Sequence, residues 1–322
     1  MDAAHAWTDK EIEKLERELE RIYRRAEKEV GEKWRDYMAS VGKRVDEAQK
    51  AYDAAKASGD KEAIKRAGIR LSKAKKELTL TDSHYKELTN DLAKEIHRVN
   101  QTAAAYVNGK LPEVYARNYN AVAARVSSNL RGYSFELVDA STIRNLALSD
   151  KTLLPYKVID GVKDVRWNTQ KVNSEVLQGI LQGDSMPNIA KRLGNVLGMN
   201  KTSAIRNART TVTSAENKGR MDMIEEAEEK GVHTQKIWIA TKDDRTRDSH
   251  LEIDGEQIDP DEKFSNGLEY PGDPNGEPEE VYNCRCTLGY KVVSFASLRI
   301  HAPERDRAVV TSDGKILLKR GG

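Results

Sequence analysis

Hydrophobic positions in the first part of the chain recur at steps of three and four residues, the spacing of an amphipathic helix. Charged residues fill most of the positions between them. Thr8 and Glu11 form a T-x-x-E capping box, which predicts that the first helix begins at Thr8. The apolar seam of this helix consists of Ile12, Leu15, Leu19, Ile22, Ala26, Val30, Trp34, Tyr37 and Val41.

A polar break at 57–63, which reads ASGDKEA, separates this helix from later helical segments. Pro112 is placed to open another helix, because proline is tolerated in the first helical turn. We therefore predict a bundle or stalk of long helices over 1–110 and a connecting helical and irregular region over 111–166. The second apolar seam of the predicted bundle consists of Tyr85, Leu88, Leu92, Ile96, Val99 and Tyr106.

Helical periodicity returns at Trp167 and ends near residue 230. The stretch LQGDSMPNIAKRLGNVLG predicts two helices around a turn at Gly183, an arrangement that a helix-turn-helix DNA reader shares with many other α-rich domains. A further helix is predicted from roughly 200 to 230. Small residues on its inner face allow another element to approach closely, and this face consists of Ile205, Ala208, Val212, Ala215, Gly219 and Met223.

The other side of that helix carries a candidate basic patch. Glu216 is the single acidic residue between 201 and 220, so the patch could meet phosphates or an acidic partner. The alternative is a solvated face that the following acidic stretch EEAEEK balances. The candidate patch residues are Lys201, Arg206, Arg209 and Arg220.

After Gly231 the pattern changes from helices to strands and turns. Residues 234–241, TQKIWIAT, are rich in β-formers and predict a strand. The dipeptide Asp254-Gly255 lies between two short apolar runs and predicts a two-residue hairpin. Three prolines within 270–280 predict an irregular loop.

The stretch CRCTLGYKVVSF predicts a closing strand, and the tail 296–322 predicts either a hairpin around Asp313-Gly314 or an extended basic arm. The predicted fold class is therefore α+β and predominantly α. Long amphipathic helices come first, followed by a domain over 167–295 with helices at 167–230 and a small α+β part with short antiparallel strands and hairpins at 232–295.

Composition agrees with long solvent-exposed helices. Charged residues make up 33% of the chain, and 54 Lys and Arg against 52 Asp and Glu leave a net charge of +2, which gives no global sign of nucleic-acid binding. We expect neither a signal peptide nor a membrane segment, because no suitable apolar run occurs. The two cysteines are separated by one residue, too close for an unstrained disulfide, which favours a reducing cytoplasm.

The densest group of reactive side chains lies at 243–258, DDRTRDSHLEIDGEQI. His250 with Cys284 and Cys286 offers three ligands that suit zinc. The C-x-C spacing is shorter than that of common zinc knuckles, so two thiols packed together in a core is the alternative.

A catalytic role for the same segment is a second alternative. Asp244, Arg247 and His250 are residue types that nucleases use as bases and as cations for developing charge. However, the chain carries no strong catalytic signature, and closely spaced Asp and Arg residues also fix loops through ion pairs and Asx turns.

The order of these segments resembles the phage Mu F-like family of minor head proteins, also called head morphogenesis proteins, over roughly 168–290. The similarity runs from the helix ARTTVTSAENKGRM through KIWIATKDDRTRDSHLEIDGEQI and DEKF to the proline-rich loop and NCRC. The proline that usually follows the cysteine pair is missing here. The matching positions are Trp238, Asp244, Arg245, Arg247, His250, Asp254, Gly255, Phe264, Pro271, Asn283, Cys284 and Cys286.

The resemblance implies a low-copy, non-enzymatic component of a phage head, without catalytic residues and without a required cofactor. It implies association with the portal protein inside the procapsid, after assembly in the host cytoplasm, and a role in head assembly and in DNA packaging or ejection. Scaffold protein, major capsid protein and DNA are further implied partners. Because 36 residues follow NCRC, we expect no C-terminal toxin domain of the kind that some relatives carry. The alternative function is a metal-dependent nuclease or nucleic-acid-binding protein that uses the cluster at 243–250.

Overall fold

Nine helices and five strands make up the part of the chain that the computed structural model describes. The described residues are 2–78, 83–130, 133–156, 161–182, 184, 186–295, 307–310 and 316–319. The helices are α1 Ala3–Ser58, α2 Lys61–Leu78, α3 Ser83–Asn108, α4 Leu111–Asn129, α5 Ala140–Ser149, α6 Gly161–Leu181, α7 Met186–Glu229, α8 Asp248–Glu252 and α9 Pro278–Val281. The strands are β1 Val232–Ile239, β2 Gln257–Ile258, β3 Thr287–Phe295, β4 Arg307–Val310 and β5 Ile316–Lys319. The predicted class, α+β and predominantly α, is confirmed.

The chain divides into two compact units, neither of which is continuous in sequence. Unit 1 comprises Met1–Glu18, Ala104–Lys157 and Ala204–Gly322, and unit 2 comprises Leu19–Ala103 and Val158–Ser203. This division differs from the contiguous segments predicted from the sequence, because α1, α3 and α7 each contribute residues to both units. None of the helices in the described ranges has the length and apolarity that crossing a membrane requires.

Unit 2 is a helical bundle built on the two predicted seams. Trp34 and Ile96 are completely buried in its core, as are many of the other seam residues within this unit. A line of buried hydrogen bonds crosses the bundle: Tyr23 Oη donates to Asn100 Oδ1 at 2.6 Å, and Asn100 Nδ2 donates to Asn200 Oδ1 at 2.7 Å. The break predicted at 57–63 is confirmed, since α1 ends at Ser58 and α2 begins at Lys61.

The first helix begins at Ala3, five residues before the predicted start at Thr8. Asp2 precedes it, and its Oδ1 accepts a hydrogen bond from the backbone N of His5 at 3.0 Å. Thr8 therefore lies inside α1, where its hydroxyl donates to the carbonyl of Ala4 at 3.1 Å. The prediction of a start at Thr8 was wrong because the acidic residue six positions earlier supplies the acceptor.

The long helix α7 runs without interruption from Met186 to Glu229. The sequence predicted one helix after Gly183 and a separate one from roughly 200, but Gly198 lies inside a single helix. The predicted turn residue Gly183 itself lies outside the described residues.

Unit 1 contains a three-stranded antiparallel sheet with the order β2-β1-β3. Trp238 of β1 is opposite Leu288 of β3, and Lys236 is opposite Ile258 of β2. The strand predicted at 234–241 and the closing strand after NCRC are both confirmed. In the tail, β4 pairs antiparallel with β5, and the predicted turn at Asp313-Gly314 lies outside the described residues.

The hairpin predicted at Asp254-Gly255 does not form. The residues before it belong to the short helix α8, and β2 after it pairs with β1 instead. Gly255 has a φ of +85° and donates its N–H to the carbonyl of Trp238 at 2.8 Å. Asp254 Oδ1 accepts from the backbone N of Ala240 at 2.9 Å. The turn thus binds the end of β1, a long-range partner that the local pattern does not reveal.

The small residues of α7 allow a close helix crossing within unit 1, as the sequence predicted. A Cβ added at Gly219 would lie 2.5 Å from the carbonyl oxygen of Tyr115 in α4. Real Cβ atoms do not approach backbone oxygen so closely, so the two helices would have to move apart.

We expect Gly219→Ala to lower the free energy of unfolding by about 1–3 kcal/mol, the usual penalty of overpacking. Gly198→Ala is the matched control on the same helix, because an added Cβ there meets nothing within 4 Å. That control should be neutral or stabilising by about 1 kcal/mol, since alanine has the higher helix propensity. Urea denaturation followed by circular dichroism measures both changes, and equal effects at the two glycines would contradict the close crossing.

Candidate functional site

The histidine and the two cysteines that the sequence singled out lie together in unit 1. His250 is on α8, and Cys284 and Cys286 are on the extended segment that leads into β3. His250 Nδ1 lies 3.7 Å from Cys284 Sγ and 3.5 Å from Cys286 Sγ. All three residues are at most 2% exposed, and their potential ligand atoms lie within 4.8 Å of one another. We call these three residues the His–Cys cluster.

The backbone around NCRC turns both thiols to the same side. Asn283 adopts a left-handed φ of 58°, and the chain is extended after it, so alternate side chains point in opposite directions. Cys284 and Cys286 point inward, while Arg285 points to the loop carboxylate of Asp243, with contacts of 2.5 and 2.6 Å.

Aromatic rings and a carboxylate position the histidine. The Trp238 ring meets the His250 ring edge to face, with centroids 4.9 Å apart, and Phe264 packs against Trp238 in the same manner at 5.2 Å. Nε2 of His250 lies 2.9 Å from Glu280 Oε2, close enough for an ion pair although not aligned for a hydrogen bond. Ser249 Oγ donates to the same carboxylate at 3.0 Å.

The two thiols differ in acidity because one of them donates a hydrogen bond to the other. The hydrogen bond from Cys284 lowers the pKa of Cys286 below the usual thiol range, and His250 adds to this effect against the opposing effect of burial. The same contact with Cys286, followed by burial, raises the pKa of Cys284.

The DDRTR loop is held by its first aspartate. Asp243 accepts from both terminal nitrogens of Arg285 and, in an Asx turn, from the backbone N of Arg245 at 3.0 Å. The hydrogen bonds from Arg285 are the main reason that the pKa of Asp243 is well below its usual range. Arg247 donates to the backbone carbonyl of Tyr282, which ties the loop to the chain just before NCRC.

The predicted motif residues thus separate into two groups. Trp238, His250, Cys284 and Cys286 form one buried cluster. The others lie around it: Asp254 and Gly255 bind the end of β1, Arg247 binds a backbone carbonyl, and Asp244, Arg245 and Asn283 are exposed.

Sequence reasoning missed the polar face of α7 that organises this site. Asn217 is completely buried, and its Nδ2 donates to the carbonyls of Thr213, Pro271 and Cys286 at 3.0, 3.0 and 3.2 Å. Its Oδ1 accepts from the backbone N of Leu288 at 2.7 Å. Thr213 Oγ1 donates to the carbonyl of Cys284 at 2.9 Å. The available signal was the run TTVTSAEN, in which polar residues occupy every side of a helix.

The predicted basic patch is not assembled as a solvent-facing surface. Arg220 is 2% exposed and pairs with both carboxylate oxygens of Asp2 at 2.8 Å. Arg209 is ion-paired with Glu16, and Lys201 belongs to unit 2. Arg206 is exposed, with its guanidinium 5.0 Å above the ring of Tyr282. The prediction was wrong for Arg220, because a carboxylate from the start of the chain neutralises it.

The same buried network includes a histidine. His5 Nδ1 lies 2.8 Å from Glu216 Oε1, and its Nε2 lies 3.7 Å from Asp9 Oδ2. Burial lowers the pKa of His5, but the Glu216 and Asp9 carboxylates outweigh burial and the Arg220 charge, so the pKa is raised above 6.5 overall.

We expect His5 to make stability depend on pH. Since its pKa is higher in the folded state, its contribution is complete below pH 6.5 and is lost as the pH rises through the folded-state value. His5→Gln should remove this part of the pH dependence, whereas His233→Gln, at an exposed position on β1, should keep it. The measurement is the free energy of unfolding across the neutral and mildly alkaline range, and parallel profiles for wild type and His5→Gln would refute the assignment.

Comparison with known proteins finds similarity to one protein family over the part of the chain that holds the site. Residues 170–289 match the model of the family described as Phage Mu protein F like protein. Minor head protein GP7 of Bacillus phage SPP1 is 32% identical over 120 residues, which cover 36% of this chain and 39% of the relative. NAD(+)–arginine ADP-ribosyltransferase EFV of Enterococcus faecalis is 33% identical over 120 residues, which cover 37% of this chain and 25% of the relative. No solved structure matches.

The matches span well under half the length of either relative, so one segment is shared rather than a whole protein. The family-model match at 170–289 contains all of α7, β1 and β2, the first three residues of β3 and the His–Cys cluster. The resemblance inferred from the motif order over 168–290 is therefore confirmed: residues 170–289 match the family model described as Phage Mu protein F like protein.

Proposed function

We propose that this protein is a minor head protein of a tailed bacteriophage. It binds the portal protein, is enclosed in the procapsid and acts in head assembly, with a further role in DNA packaging or ejection. The observation that carries the proposal is the shared segment of 120 residues with a relative named minor head protein. The family-model match at 170–289 contains α7, β1, β2 and the buried His–Cys cluster.

The geometry of the family motif supports a structural role for these residues. A general base must reach the substrate proton that it removes, but His250 is 1% exposed behind Trp238 and Glu280. Arg247 is bound to a backbone carbonyl, and Asp244 lies on the exposed side of the loop. A nuclease centred on these three residues is therefore the less favoured alternative.

The relative named as an ADP-ribosyltransferase does not change this proposal. Its match covers 25% of that protein, and this chain matches the head protein over the same length, 120 residues, at 32% identity. We assign the shared segment to assembly and assign no transferase activity to this chain.

Co-expression with the portal protein encoded in the same phage genome tests the proposal. The full chain, carrying a tag on the portal only, should co-purify with the portal ring and migrate with it through size-exclusion chromatography. The portal of an unrelated phage is the control for nonspecific capture and should retain none of the chain.

Purified virions provide an independent readout. The protein should be detected by mass spectrometry inside heads at a few copies per particle and should resist external protease until the heads are opened. Failure to bind the portal together with absence from virions would overturn the proposal.

A further inference from the structure

We propose that His250, Cys284 and Cys286 bind a structural zinc ion through Nδ1 and the two Sγ atoms. The inference goes beyond the head-assembly role and does not depend on it. Thiolates and imidazole are the ligands that select zinc over the hard cations magnesium and calcium.

The separations of the ligand atoms fit a tetrahedral ion. With Zn–N and Zn–S bonds of typical length, a tetrahedral site holds its nitrogen and sulfur ligands about 3.6 Å apart. The observed distances from His250 Nδ1 are 3.5 Å to Cys286 and 3.7 Å to Cys284. The three side chains converge from two separate segments of the chain, 34 and 36 residues apart.

The surroundings of the cluster are those of a metal site with oriented ligands. Glu280 lies at the ring nitrogen of His250 that faces away from the thiols, at 2.9 Å, where a carboxylate commonly supports a zinc-bound histidine. With Nδ1 bound to the ion, the buried Nε2 would carry the imidazole proton, and the Glu280 carboxylate lies 2.9 Å from it. Thr213 and Asn217 fix the backbone carbonyls of the two cysteines.

The short C-x-C spacing, which argued against zinc at the sequence level, is accommodated by the local backbone. The intervening Arg285 points away to Asp243, so both thiols face the histidine without a knuckle turn. Among the described residues, three ligand atoms lie in this group. Burial of all three ligands makes the site structural rather than catalytic.

A zinc ion here would stabilise the least regular part of unit 1. Residues 240–286 contain only the short elements α8, β2 and α9, so few backbone hydrogen bonds of helices or sheets hold them together. One ion would link α8 to the start of β3 and close the loop between His250 and Cys284.

Metal analysis of the full-length protein tests the proposal. The chain should be purified without a histidine tag, under reducing conditions, supplied with zinc and then gel-filtered. One zinc ion per chain is expected in wild type and in the control His233→Ala, whose histidine is exposed on β1. His250→Ala and Cys286→Ser should lose the ion.

Cobalt substitution keeps the test informative where a variant fails to fold, because it uses wild type only. Tetrahedral coordination by two thiolates should give thiolate-to-cobalt charge-transfer bands and intense visible d–d bands that zinc abolishes. Chelation should lower the Tm of wild type, and zinc but not magnesium should restore it.

Wild type that holds no stoichiometric zinc and gives no thiolate–cobalt bands would overturn the site, leaving a reduced cysteine pair hydrogen-bonded to His250. Portal binding is measured separately, so failure of either proposal is recognised on its own.

Discussion

Arg220→Met is expected to lower the free energy of unfolding by about 3–5 kcal/mol, the usual effect of removing one partner from a buried ion pair. The guanidinium is 2% exposed and lies 3.5 Å from the equally buried Glu216 carboxylate. It also donates to both oxygens of Asp2, to Asn118 Oδ1 at 3.0 Å and to the carbonyl of Leu288 at 3.2 Å. Methionine fills similar volume but leaves these acceptors without their donor.

Urea denaturation at neutral pH measures this effect, with Arg206→Met as the matched control. Arg206 is on the same helix and is exposed, so its replacement should change stability by about 0.5 kcal/mol or less. Arg220→Lys should give an intermediate loss, because an ammonium keeps the charge but not the planar set of donors. A loss below about 1 kcal/mol for Arg220→Met would contradict the structural role assigned to the network.

Asn217→Asp is expected to lower the free energy of unfolding by a similar amount, about 3 kcal/mol or more. The substitution replaces only the amide NH2 group by an oxygen. The amide nitrogen of Asn217 faces three backbone carbonyls, those of Thr213, Pro271 and Cys286. A carboxylate oxygen in its place cannot donate, so an unpaired charge would be buried against three acceptors. The substitution would therefore separate α7 from the proline-rich loop and from the start of β3.

The control for this variant is Asn195→Asp, at an exposed position of the same helix, which should be nearly neutral. Acidification supplies a second check. Burial among acceptors raises the pKa of an introduced carboxyl, so the deficit of Asn217→Asp should shrink as the pH falls and the group becomes protonated. A pH-independent deficit would show that the loss arises from steric misfit instead.

Both variants act through α7, which connects the remaining parts of unit 1. Its buried polar residues bind the N-terminal residues through Arg220 and Glu216, and they bind the NCRC segment through Thr213 and Asn217. This explains in physical terms why the stretch ARTTVTSAEN and the distant NCRC occur in one family segment. Each supplies the hydrogen-bond partners of the other.

The helical seams, the main strands and the order of the family motif could be predicted from the sequence alone. Trp34, Leu92 and Ile96 repeat at helical spacing, and their burial follows because periodicity is a local property of the chain. β1 and β3 were predicted for the same reason, since their β-formers stand between clear turn signals.

Only the tertiary structure decided which polar residues face solvent and which face each other. Arg206 and Arg220 looked equivalent on one helix, but Arg220 is neutralised by Asp2, 218 positions away, and Arg206 is not. The Asp254-Gly255 turn carried a strong hairpin signal, yet it binds the end of β1. His250 and the two cysteines became one cluster for the same reason. Hydrogen bonds and ion pairs depend on distance in space, which a local sequence pattern does not contain.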